Sequence, residues 1–160
     1  MAKARGWQTR FSFGSTSAII TNLALMAGLH SEANAKVSIL GGILVVALAD
    51  NISDSFGIHI YQESEKIETR EVWTSTITNF LSRIIVSLSF VGLIVLLPLN
   101  TAICASLAWG LGLLAVISYI VAKNEDSNPY LSILTHLLIA VAVIFLSNLL
   151  GDLLISRFGH

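Results

Sequence analysis

Residues 38–60 read "SILGGILVVALADNISDSFGIHI". The first half is an apolar run of the kind that enters a membrane. The second half sets Asp50, Asn51, Ser53, Asp54 and Ser55 along the same stretch. No proline interrupts it, so the natural reading is one long helix with two carboxylates a single turn apart. Ionised groups are costly in hydrocarbon, and where they persist in a spanning segment they mark function by default.

The surrounding chain agrees with lipid as the solvent. Of 160 residues, 54% are hydrophobic and only 12% are charged, with mean hydropathy +0.78. Soluble domains carry about a quarter charged residues. A net charge of −1 offers no basic stripe for phosphates, so no nucleic-acid partner is expected. No nucleophile–base pair or nucleotide loop is visible, and the chain does not read as an enzyme. No bound cofactor is expected either. The single cysteine, Cys104, lies in an apolar run and is expected to act as a small buried hydrophobe. The start, "MAKARGWQTR", reads as a mature cytoplasmic end rather than a signal peptide.

Five apolar segments follow one another, at about 11–29, 37–60, 72–97, 102–122 and 129–156. Pro98 closes the third, and Pro129 opens the fifth after Ser127 and Asn128. Each is long enough to span, and the hydrocarbon core favours helices because their backbone groups satisfy one another. The expected architecture is an all-α integral membrane protein: a single domain of five transmembrane helices over residues 1–160, in a cell or organelle membrane. Lys3, Arg5, Arg10, Lys66, Arg70 and Lys123 would lie on one side, and Lys36 and Arg157 on the other. That bias places the N-terminus in the cytoplasm, with Trp7 and Trp73 near the interface on that side.

The linker after the second segment, "YQESEKIETREVW", carries Glu63, Glu65, Glu68 and Glu71. Continued as helix, it would put Glu65 and Glu68 on one face. They are either a solvated extension or a weak cation-collecting patch at an entrance.

Depth follows from a rise of about 1.5 Å per residue. Counted from the cytoplasmic end, Asp54 and Ser17 lie about 9 Å deep, and Asp50 and Asn22 about 15–16 Å deep. Asn79 and Arg83 of the third segment fall in the same half. Asp50, Asp54, Asn22, Ser17 and Met26 therefore form the candidate metal set, with oxygens for hard divalent ions and a thioether for softer ones. Low dielectric disfavours the charged carboxylate, so such a site could trade a proton for a metal ion. The competing reading pairs Arg83 with Asp50 or Asp54 as structural glue between helices. One arginine would still leave one carboxylate uncompensated.

Other polar positions read more plainly. Asn148 and Asp152 sit near the far end of the fifth segment, where Asp152 can be wet. His136, alone on an apolar helix, reads as a hydrogen-bonded packing residue. Gly41, Gly42, Gly110 and Gly112 are expected to let helices approach closely.

"FGSTSAIITNLALMAGL" (13–29) resembles the first helix of the vacuolar iron transporter family, and "GGILVVALADNISDSFGIHIYQESE" (41–65) resembles its second. The order of five helices and the proline after the third fit as well. The resemblance implies a homodimer that exports ferrous or manganous ions from the cytoplasm in exchange for protons, with helix 1 of each subunit flanking a path at the two-fold axis. Family ligands are an acid on helix 1 and a Met and a Glu on helix 2. Here those places hold Ser17, Asp54 and Ile58, and Ala18 stands where a glycine is usual. The cytoplasmic helical domain of many members is reduced to the stretch from Glu63 to Glu71. The expected function is thus divalent metal (iron or manganese) transport by metal/proton antiport through a dimer-interface path. The alternatives are a non-transporting membrane protein of the same fold and a transporter of another cation.

Overall fold

The structure is a computed structural model; it describes residues 2–158, with side chains from Phe11 onward. Lys3, Arg5, Trp7 and Arg10, assigned above to the cytoplasmic side, therefore have side chains outside the described residues.

Five α-helices make up the described chain: α1 (Ala2–Leu29), α2 (Ala35–Ser64), α3 (Thr69–Leu96), α4 (Leu99–Asn124) and α5 (Pro129–Phe158). Each contains a stretch long and apolar enough to cross a membrane, that of α1 being Phe11–Leu29. The helices run several residues past the apolar segments, because polar turns extend a helix without altering its hydrophobic window. Large apolar side chains such as Leu44, Phe56, Leu96, Tyr130 and Phe145 stand exposed around the outside. Water would not tolerate so large an apolar surface, whereas lipid solvates it.

The ends of the helices are closed by local chemistry. Asn128 caps α5, its Oδ1 accepting from the backbone N–H of Tyr130 at 3.0 Å. At the end of α2, Lys66 takes φ 56°. Its N–H bonds the Glu63 carbonyl, and the Ile67 N–H bonds the Gln62 carbonyl. This is a Schellman closure with lysine in the left-handed position usually held by glycine. Asp126 repeats it after α4 with φ 53°, the Ser127 N–H reaching the Ala122 carbonyl at 3.0 Å. Lys36, at the start of α2, donates Nζ to the Leu97 carbonyl at 3.1 Å and closes the end of α3.

The α1 helix packs against all four others, while α2 leans mainly on α3 and α5 on α1 and α4. An apolar core of Ile19, Leu23, Phe90, Ile94 and Leu114 lies among α1, α3 and α4. The closest crossings use glycines other than those singled out from the sequence. A Cβ built on Gly151 would overlap the Gly28 carbonyl, and one on Gly14 would fall 2.7 Å from Asn79 Oδ1. Gly41 and Gly112 instead face open space, a correction to their expected role. Only Gly110 among them is tightly packed, with Leu23 and Phe90 at 3.0 Å from a built Cβ. Cys104 is also corrected: it is exposed on the apolar exterior rather than buried.

Candidate functional site

The α2 helix carries its carboxylates where α1 and α3 meet it. Asp50 and Asp54 project on one stripe, a turn apart, and both reach Arg83 of α3. The Arg83 Nη2 bonds Asp50 Oδ2 and its Nη1 bonds Asp54 Oδ2. Nη1 also donates to Ser17 Oγ of α1 at 2.8 Å. One guanidinium thus ties three helices together, which suits its fixed fork of donors.

Burial is asymmetric across this triad. The Arg83 side chain is 3% exposed, whereas those of Asp50 and Asp54 are 43% and 39% exposed. The carboxylates therefore open onto the outer flank of α2, beside exposed Ser53 and Gly57. A cavity at that flank is lined by Phe13, Ser53, Asp54, Gly57, Ile58 and Tyr61. Two carboxylates thus share a single guanidinium at this level.

The candidate metal set divides in space. Ser17 joins the aspartates through Arg83. Asn22 turns to α3 instead, donating Nδ2 to Ser87 Oγ at 3.0 Å. Met26 is buried and lines a cavity of about 350 Å³ with Ile103, Leu107 and Ile144, toward α4 and α5. Among the described residues, no group of three or more His, Cys, Asp or Glu is placed to hold a metal ion. Within one chain, Asp50 and Asp54 are the only acidic pair of the candidate set.

Glu65 and Glu68 do not share a helical face. The closure at Lys66 ends α2 at Ser64 and α3 begins at Thr69, so both glutamates sit in the turn. Both are exposed there. At the opposite end, Asp152 accepts from Ser31 Oγ at 3.1 Å, and Asn148 Nδ2 lies 3.5 Å from its other oxygen. His136 bonds Ser118 through Nδ1 at 2.8 Å, a contact between α5 and α4.

Sequence reading missed a row of polar contacts between α2 and α3, on the face of α2 next to the one that carries the aspartates. Asn79 Nδ2 donates to Ser55 Oγ at 3.0 Å, and Asn51 Nδ2 donates to the Phe80 carbonyl at 3.0 Å. His59 Nδ1 meets Thr76 Oγ1 at 3.0 Å, and Gln62 Nε2 donates to Ser75 Oγ at 2.9 Å. The signal was present as spacing: 51, 55, 59 and 62 on α2, and 75, 79, 82 and 83 on α3, each the period of one helical face.

Compared with known proteins, the chain matches no family model, no curated protein and no solved structure.

Proposed function

We propose that the protein is a divalent cation transporter, exchanging a metal ion such as Fe²⁺ or Mn²⁺ for protons and exporting it from the cytoplasm. The observation that carries this reading is the half-exposed Asp50–Asp54 pair sharing one arginine on a helix long enough to span. Arg83 holds one oxygen of each carboxylate, which leaves the others free to bind. A net negative charge facing lipid would be costly, so this face requires cover and a counter-ion.

A second copy of the chain across the α2 flank would supply both. The small exposed residues Ser53 and Gly57 allow close approach there. Two triads then carry two net negative charges, which one divalent cation or two protons would cancel. The exchange would be electroneutral, with two protons moving per metal ion. Four carboxylates around one ion make an oxygen-rich set suited to a hard cation. Resemblance of α1 and α2 to the helices of vacuolar iron transporters supports the same reading, as does the Lys/Arg bias that puts the N-terminus in the cytoplasm.

The pairing of Arg83 with both aspartates also supports a second reading, in which the triad is structural glue in a protein that does not transport. Uptake of Fe²⁺, Mn²⁺, Co²⁺ and Ca²⁺ into proteoliposomes under an imposed pH gradient separates the two. Transport predicts flux that needs the gradient, ignores membrane potential and is lost in Asp50→Asn/Asp54→Asn. Silence from folded, inserted protein would leave the structural reading.

A further inference from the structure

The last two turns of α2 set a histidine and a glutamate four residues apart on one face. The His59 side chain is 11% exposed, whereas that of Glu63 is 62% exposed. Aromatic neighbours hold the imidazole: its centroid lies 4.6 Å from that of Trp73, edge-on, and 6.4 Å from that of Phe56, stacked. Its tautomer is set by α3. Thr76 donates its hydroxyl to the Val72 carbonyl at 2.9 Å, so Thr76 Oγ1 accepts from His59 Nδ1–H at 3.0 Å. The free lone pair is therefore on Nε2, which lies 3.5 Å from Glu63 Oε1.

A bare ring nitrogen facing a carboxylate oxygen calls for a cation between them. A proton would serve, but three features suit a metal ion. The separation is right, because donor atoms bound at about 2.1 Å to one ion, at tetrahedral or octahedral angles, stand about 3.0–3.5 Å apart. The ring is also oriented as a ligand. Metal-binding imidazoles give their other N–H to an oxygen, here Thr76 Oγ1, which fixes both tautomer and ring plane. Finally, the pair lies at the carbonyl end of α2, the negative end of its macrodipole, which favours a cation. Glu63 is exposed enough for its carboxylate to turn toward an ion without moving the backbone.

We infer that His59 Nε2 and the Glu63 carboxylate form a docking site for a divalent transition-metal ion, separate from the Asp50–Asp54 pair, with water completing the coordination. Thr76 is its positioning residue. An imidazole beside a carboxylate selects borderline ions such as Fe²⁺, Co²⁺ or Zn²⁺ over Ca²⁺ and Mg²⁺, which take oxygen ligands. Two protein donors hold the ion loosely enough to exchange, as a loading site requires. That role, collecting metal at the α2–α3 turn before it reaches the aspartates, rests on the exchange reading above. Binding at His59 and Glu63 does not.

Trp73 supplies the readout, since its ring lies against His59 and an open-shell ion such as Co²⁺ quenches indole emission at short range. The chain has three tryptophans, so Trp7→Phe/Trp109→Phe leaves Trp73 as the sole reporter. Co²⁺ titrated into this protein in lipid nanodiscs should quench its emission saturably. Excess Zn²⁺ should restore the emission by displacement, and Ca²⁺ should not. His59→Gln and Glu63→Gln should each weaken the apparent affinity for Co²⁺ by about tenfold or more. Glu63 is exposed, so its replacement leaves the packing intact. Thr76→Val should weaken it by about tenfold, and Thr76→Ser should restore it. Quenching that survives His59→Gln and Glu63→Gln, or is lost instead in Glu65→Gln/Glu68→Gln, would overturn the site. So would the absence of saturable quenching, which would leave a His59–Glu63 pair that takes only a proton. The Asp50→Asn/Asp54→Asn variant should keep the quenching while losing metal flux. Failure of the exchange reading thus shows in the flux, and failure of this site shows in the emission.

Discussion

Gly151 of α5 presses directly against the carbonyl of Gly28 in α1, with the Gly28 Cα 3.1 Å from where a Gly151 Cβ would stand. Two backbones in contact at this level bring the last turn of α1 beside α5, where Ser31 can reach Asp152. A methyl group cannot be absorbed here, because the opposing atoms are backbone rather than a flexible side chain. Gly151→Ala should therefore destabilise the protein by about 1–3 kcal/mol, the usual cost of overpacking. Gly41→Ala, in open space, should be neutral. Thermal unfolding of both variants in detergent checks the contrast.

Arg83→Leu should be far more damaging than its hydrophobic gain suggests. It strands two carboxylates and Ser17 without their shared donor. Breaking a buried ion pair costs about 3–5 kcal/mol, and the partial exposure of both aspartates places this case at the lower end. Adding Asp50→Asn and Asp54→Asn to Arg83→Leu should recover much of the loss. Unfolding free energies of the single and combined variants provide the measurement.

Lys36 contributes to stability as well as to surface charge. Its ammonium sits on the terminal carbonyls of α3, favouring the negative end of that helix. Lys36→Met should keep the side chain's bulk and lose about 0.3–1 kcal/mol. Hydrogen exchange at the last turn of α3 should speed up in the variant, while that of α5 stays as it was.

Asp126→Gly should stabilise the turn between α4 and α5. Asp126 adopts φ 53°, a conformation that costs an L-residue about 1–2 kcal/mol and glycine almost nothing. Part of that gain is returned through the freer unfolded chain. A net rise of about 0.5–1 kcal/mol in unfolding free energy is expected. Lys66→Gly should act alike at the end of α2, for the same reason.

The five helices were legible because each depends on a property local in sequence. Apolar runs of spanning length, Pro98 after α3 and Asn128 with Pro129 before α5 announce themselves without any knowledge of neighbours. The ends at Lys66 and Asp126 were not legible, since neither residue type signals a left-handed closure and only the backbone bonds reveal it. Asp50 and Asp54 were equally plain, two acids in an apolar context with helical spacing. Their meeting with Arg83 was one option among several until α2 and α3 packed.

Sequence by itself determined the solvent, the helix count and the stripe on α2 that carries the charge. Tertiary structure alone decided which groups meet. It gave Arg83 to both aspartates and Ser17, turned Asn22 to Ser87, and sent Met26 toward α4 and α5. The reason is rotational: a helix's period sets which residues share a face, but its rotation about its own axis is set by packing. Gly28 against Gly151 and Gly14 against Asn79 are two of the contacts that set it here.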